Sequence, residues 1–228
     1  MAIITKYLVS VVKIENLLPD LYSVYFRSEK KFQYSPGQFL HITLDDYDPS
    51  GQWPDSRCFS IQTNQSMDFL AISYAVKGDY TKRMSVELKV GKKIWLKLPY
   101  GDLFHRKHSL KNNIFIAGGT GITPFLSLFT EDSFSLYKKP VLYFGIRNNK
   151  YNIFNSELLK ASSLNDGFVQ NIINESIRGK LDIKKIYVDC GNNATYFISG
   201  PPGMIGSFRK YLIFQNVQES RIITDDWE

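Results

Sequence analysis

Hydrophobic and polar residues alternate in short runs over the first hundred residues, and then the alternation stops. KYLVSVVKI, LYSVYFRS, QFLHITL, CFSIQT, DFLAISYAV and KKIWLKL are dominated by Val, Ile, Tyr and Phe, residue types that suit a pleated, half-buried surface. Pro36-Gly37, Asp48-Pro49-Ser50-Gly51 and Gly78-Asp79 punctuate them. The pattern predicts an antiparallel barrel or sandwich, interrupted by one helix over residues 80–88. From residue 109 onward the runs NIFIAGG, VLYFGI and TYFISGPPG are apolar throughout, as in strands covered on both faces. Segments over 124–129, 154–161 and 204–214 read as the helices between and after them, so an α/β parallel sheet is expected. The basic, poorly periodic stretch His105–Asn113 reads as the linker. The expected domains are residues 1–108 and 109–228.

Length and composition sharpen this picture at a few points. The 228 residues suit two compact units. No run approaches the ~20 apolar residues of a membrane span. The opening MAIITKYLVSVVKIEN lacks the basic flank, apolar block and cleavage site of a secretory signal, and a cytoplasmic location is expected. Two distant cysteines, Cys58 and Cys190, exclude an in-chain Cys₄ cluster and argue against a disulfide scaffold; no metal site is expected. The net charge of +6 suits an acidic partner, and equally a basic surface with no special target. Scattered basic residues without a recognition motif do not favour nucleic acid. His41, His105 and His108 stand outside any triad pattern and are expected on the surface or in loops.

The chemistry concentrates in turns. Ile114–Ala117 runs into Gly118-Gly119-Thr120-Gly121-Ile122-Thr123-Pro124. Glycines permit a sharp turn and close approach of a ligand, and Pro124 suits the first turn of a helix. A helix start offers free N–H groups to a pyrophosphate; a tight strand-to-helix turn without ligand is the bland alternative. After Val141–Ile146, where an acidic residue would hold a ribose 2′-hydroxyl, the chain has Arg147, with Lys150 beyond. A cation there favours the 2′-phosphate of NADP over NAD, unless Arg147 is an ordinary solvated side chain. Tyr196–Ser199 ends in Gly200-Pro201-Pro202-Gly203-Met204, a rigid turn where ligands of such sheets bind. In the first half, alternation puts Arg57 and Phe59 on one face of a strand and Cys58 and Ser60 on the other. Arg57 offers a donor fork to a pyrophosphate, Phe59 a flat apolar surface, and Ser60 a hydroxyl for a heterocycle edge. Gly78-Asp79-Tyr80-Thr81 precedes the predicted helix and makes a second anion-binding start.

Taken in order, these pieces resemble the ferredoxin–NADP⁺ reductase superfamily along nearly the whole chain. The set runs Tyr34-Ser35-Pro36-Gly37-Gln38-Phe39, Arg57-Cys58-Phe59-Ser60, Tyr74-Ala75-Val76-Lys77 with Gly78–Thr81, and Leu98–Phe104. It continues through Gly118–Pro124, Tyr143–Arg147, Arg178-Gly179-Lys180 and Ser199–Met204. The resemblance implies a six-stranded FAD-binding barrel, then an NAD(P)-binding α/β domain, with the flavin between them. It implies that Arg57 meets the FAD pyrophosphate, Phe59 stacks on the isoalloxazine and Ser60 bonds near its reactive nitrogen. Tyr74, Val76 and Lys77 would border the FAD, and Gly78, Asp79, Tyr80 and Thr81 would cap its phosphates. Cys58 would lie within the FAD strand. Gly119, Thr120, Gly121, Thr123 and Pro124 would line the nicotinamide pocket, and Gly200, Pro201, Pro202 and Met204 the dinucleotide's path. Where many members carry Cys, this chain has Ser199, and near its end Trp227 is the candidate aromatic cover and Asp225 a nearby acid. The implied activity is electron transfer from NAD(P)H through FAD to an acidic carrier such as ferredoxin or flavodoxin. The alternatives are a diaphorase-type reductase acting on small acceptors and a non-catalytic dinucleotide-binding subunit.

Overall fold

The structure, a computed structural model, describes residues 3–225. The chain divides into two compact units, Met1–Asp102 and Leu103–Glu228.

The first unit is built from β1 (Thr5–Leu18), β2 (Leu21–Arg27), β3 (Phe39–Thr43), β4 (Arg57–Ser60), β5 (Leu70–Ala75), α1 (Asp79–Glu87) and β6 (Lys93–Tyr100). Its six strands form one antiparallel sheet in the order β4-β3-β6-β1-β2-β5. The two ends of the sheet approach each other, because Gln62, just past β4, donates its N–H to the Ala71 carbonyl of β5 at 2.9 Å. The sheet is thus a nearly closed barrel, as the alternation predicts for one of its two options. Tyr7, Val9 and Val11 of β1 point inward, while Lys6 and Leu8 point out. Val12 follows the alternation outward, and a bulge between Val11 and Lys13 then shifts the phase, so that Lys13 is exposed as well and Ile14 packs on the core. Val24, Phe26, Leu40, Ile42, Ile61, Leu70, Ile72, Leu96 and Leu98 fill the interior, each contributing about 2 kcal/mol of burial. A buried polar chain ties β2 to β5 and to the residue past β4: Ser23 Oγ and Ser73 Oγ lie 2.6 Å apart, and Ser73 donates to Gln62 Oε1 at 2.5 Å.

The second unit contains β7 (Asn113–Gly118), α2 (Thr123–Phe129), β8 (Val141–Ile146), α3 (Asn155–Leu164), β9 (Val169–Asn174), α4 (Glu175–Arg178), α5 (Ile183–Cys190), β10 (Thr195–Ser199), α6 (Pro202–Phe214) and β11 (Ile222–Thr224). All five strands are parallel, in the order β11-β10-β7-β8-β9. One face packs Phe115, Ala117, Phe144 and Phe197 against α2 and α3. The opposite face packs Ile114, Ile116, Tyr196 and Ile198 against α5 and α6. Covered on both sides, the central strands have no polar face to alternate. Leu103 and Phe104 join the first of these two cores.

Four elements go beyond the sequence reading, the one-turn helix α4 among them. β9 (VQNIIN) and β11 are edge strands, one half-polar and one only three residues long; α5 is a short helix with just two buried residues. A correction concerns His41. It lies within β3, half-buried, with its ring edge-on to Tyr100 at 4.6 Å, not in a loop. Strand pairing opposite Cys58 holds it there. Among the described residues no helix is long and apolar enough to cross a membrane, and no cluster of three metal-ligating side chains is found.

Candidate functional site

In the first unit, the sheet brings distant residues to one corner. The Arg57 guanidinium lies over the Tyr80 ring, 5.0 Å from its centre, so the start of β4 meets the start of α1. Tyr80 itself is buried and donates its hydroxyl to the Ile42 carbonyl at 2.6 Å; burial first, and the charge of Asp55 second, push its pKa well above the ordinary range. The Tyr80 side chain is thus anchored within the core of the first unit. Thr81 organises the turn ahead of α1: its Oγ1 accepts from the N–H groups of Lys77 at 2.9 Å and Gly78 at 3.1 Å, and donates to the Gly78 carbonyl. Lys77, Gly78 and Asp79 are exposed, leaving the first-turn amides accessible.

Beside this corner stands an aromatic group. Phe59 lies 5.9 Å from Tyr74, tilted by 60°, and Tyr74 stacks on Tyr22 at 5.6 Å and 15°. Val76 packs on the same core and donates its N–H to the Asp20 carbonyl. Tyr22 was not picked out in the sequence. It faces Tyr74 through the β2–β5 register, a pairing across fifty residues that local pattern does not encode.

Cys58 shares the other face of β4 with Ser60. Its Sγ lies 3.4 Å from His41 Nε2, and burial, partly offset by Arg57, pushes the thiol pKa up. A thiol so held is a weak nucleophile. Ser60 is buried at the end of the strand.

In the second unit, two turns meet at the carboxyl ends of the adjacent strands β7 and β10. Gly118 leads into a single 3₁₀ turn, Gly119–Ile122, which continues directly into α2. The helix therefore opens one residue before Pro124, and Thr123 donates to the Thr120 carbonyl at 2.9 Å. A Cβ on Gly121 would sit 2.5 Å from the Ser199 oxygen and from the Gly200 nitrogen. A Cβ on Gly200 (φ 149°) would sit 2.7 Å from Met204 Cε and 3.1 Å from the Gly118 nitrogen. The turns therefore touch backbone to backbone, while Gly119, at φ 57°, and Gly203 face open space. Pro201 and Pro202 stiffen the entrance to α6, where Pro202 is the first helical residue.

Ser199 is buried and donates to Asp225 Oδ2 at 2.9 Å, while the Asp225 N–H donates to the Ile198 carbonyl. The structure thus brings together two residues that the sequence placed near one pocket. Trp227 lies outside the described residues. Arg147 is exposed just past β8; its Nη1 donates to Tyr151 Oη at 3.3 Å and its guanidinium lies 5.3 Å from that ring's centre. Lys150 is exposed nearby.

Within the second unit, residues 115–210, which run from β7 through most of α6, match the family described as "Oxidoreductase NAD-binding domain". Together with the barrel that precedes it, this unit gives the two-domain fold seen in solved ferredoxin–NADP⁺ reductases. Methane monooxygenase component C of Methylosinus trichosporium is 28% identical over 126 residues, 55% of this chain and 36% of that protein. The ferredoxin–NAD(P)⁺ reductase component of the naphthalene 1,2-dioxygenase system of Pseudomonas putida is 28% identical over 66% of this chain and 44% of its own length. The chain thus spans less than half of each. A solved ferredoxin NADP⁺ reductase from Neisseria gonorrhoeae, with bound FAD and NADP, superposes with a TM-score of 0.75 at 16% identity, covering 94% of this chain and 92% of that one.

Proposed function

We propose that this chain is a flavin-dependent NAD(P)H reductase that holds FAD on its first unit and the nicotinamide dinucleotide on its second. The observation that carries the reading is the pair of glycine turns packed backbone to backbone at the ends of β7 and β10. Side chains there would fill the space that a dinucleotide needs, and none is present at Gly119 or Gly203. The first unit fits a flavin dinucleotide equally well: a cation beside a helix start suits a pyrophosphate, and Phe59, Tyr74 and Tyr22 supply flat apolar surface for a ring system.

In this reading Arg57 and the first-turn amides of α1 bind the FAD pyrophosphate, and Phe59 and Tyr74 pack against its ring, with Ser60 at the ring's edge. Thr120, Thr123 and Pro124, with the Gly200–Met204 turn, orient the second dinucleotide. Arg147, steadied by Tyr151, and Lys150 attract a 2′-phosphate, which favours NADPH. Ser199 and Asp225 share a proton at their 2.9 Å contact and present oxygen acceptors beside the Gly119–Gly121 turn. Bound FAD would supply the redox chemistry, taking a hydride from the nicotinamide and releasing electrons singly or as a pair. The net charge of +6 supports an acidic carrier protein, ferredoxin or flavodoxin, as acceptor.

An absorbance spectrum of the purified protein, followed by anaerobic titration with NADPH and NADH, tests this directly. A flavin spectrum bleached by either nucleotide is expected; a flavin that stays oxidised rules out the enzyme. Steady-state NADPH oxidation with and without ferredoxin or flavodoxin then separates a protein acceptor from small ones.

A further inference from the structure

Arg57 is already committed on one side. Its Nη1 donates to Asp55 Oδ1 at 2.7 Å and to the Ser56 carbonyl at 2.8 Å, and the Tyr80 ring lies against its face. Among the described residues neither Nε nor Nη2 has a partner. That leaves open the edge of the fork that pairs two parallel N–H bonds with two oxygens.

The loop that carries Asp55 is itself pinned on both sides. Trp53 donates its ring N–H to Ser56 Oγ at 3.0 Å, and Ser56 Oγ lies 3.3 Å from His41 Nδ1. The Trp53 ring meets Tyr47 edge-on at 5.1 Å and carries the Lys97 ammonium 5.1 Å from its centre. Asp55 therefore reaches Arg57 from fixed ground rather than from a loose loop. Both side chains of the pair are more than half exposed, so their attraction adds little to folding. Its effect is to set the direction of the guanidinium.

We propose that Asp55 is a positioning residue for FAD: by holding Nη1 of Arg57, it turns the open Nε–Nη2 edge toward the pyrophosphate. This rests on the reading that the first unit binds FAD through Arg57. It differs from simple neutralisation, in which the carboxylate and the pyrophosphate would compete for the same cation. An arginine that is free to rotate must be ordered when the ligand binds, and that loss of side-chain freedom weakens binding; one already held by Asp55 has been ordered in advance.

The test is equilibrium titration of the flavin-stripped full chain with FAD, and in parallel with riboflavin, which has no phosphate. Asp55→Ala should raise the Kd for FAD about three- to fivefold, the scale of an exposed ion pair, and leave riboflavin binding as it was. Asp55→Asn keeps an acceptor oxygen for Nη1 and should restore FAD binding to within about twofold of the parent. Tighter FAD binding in both variants would mean competition and overturn the proposal. So would an equal loss for FAD and riboflavin, which would mean a collapsed loop. Arg57→Ala separates the two levels of the argument. If it binds FAD like the parent, the reading of the first unit falls. If it loses FAD while Asp55→Ala does not, only the role of Asp55 falls.

Discussion

In the proposed reading, the two units recognise their ligands by opposite means. The first uses side chains: a guanidinium on an aromatic ring, three stacked or tilted aromatics, and a threonine that organises a helix start. The second uses their absence, with two turns whose glycines leave backbone against backbone. Side-chain recognition is divisible, because each group can be removed while the strand beneath it remains. Backbone recognition is collective, since adding one atom to a turn moves its neighbour as well. Substitutions in the first unit should therefore weaken binding by increments, and those in the second should threaten the fold.

The largest effect is expected at Gly121. Alanine there puts a carbon 2.5 Å from the backbone of Ser199 and Gly200, and forcing such overlap costs about 3 kcal/mol. Thermal unfolding should show a destabilised protein, together with loss of NADPH-dependent flavin reduction; a variant with native stability would break the contrast between the units. Next is Arg57→Ala, which should weaken FAD binding by about 1.5–3 kcal/mol, the range for a charged hydrogen bond, without a matching fall in unfolding temperature. Loss of both together would show that the first unit is as indivisible as the second. Smaller again is Arg147→Ala. Fluorescence titration should show the affinity for NADPH falling about fivefold, as for one exposed charge, and that for NADH staying unchanged.

The smallest effect concerns pH. Burial, and after it the charge of Lys97, hold the pKa of His41 below its ordinary value of 6.5. The unfolded chain therefore takes up a proton on this residue before the folded chain does. The contribution of His41 to stability is complete above about pH 6.5, and it is lost as the pH falls through the lower, folded value. His41→Gln should flatten that part of the decline in unfolding temperature between neutral and mildly acidic buffer. An unchanged slope would assign the decline to other groups.

Which features were readable in advance follows the same contrast. The barrel was legible because strands such as β1 and β6 bury one face, so that alternation records the fold. The parallel sheet was legible where strands are central, as in NIFIAG and TYFIS. It was not legible in β9 and β11, where edge positions allow polar or very short segments. The glycine turn of β7 carried its own signal, since strand, glycines and proline lie within a dozen residues. Tyr22 and Asp55 carried none. Tyr22 acquires its place through a register with Tyr74, and Asp55 through a loop pinned by Trp53, Ser56 and His41, contacts that exist only once the strands have paired. Tyr80 was named for its motif, but the bond of its hydroxyl to the Ile42 carbonyl, 38 residues away in sequence, is visible only in the fold.

The contact between the glycine turns also bears on how such a protein can diverge. With no side chain between Gly121 and Gly200, there is nothing to trim or enlarge, so the two loops can only be inherited or transplanted as a matched pair. The segment after β8 is built differently: Arg147 is an exposed side chain that rests on the Tyr151 ring. On the proposed role of Arg147, a change of nucleotide preference, whether by natural drift or by a designer's choice, has room to happen there while the paired turns stay untouched.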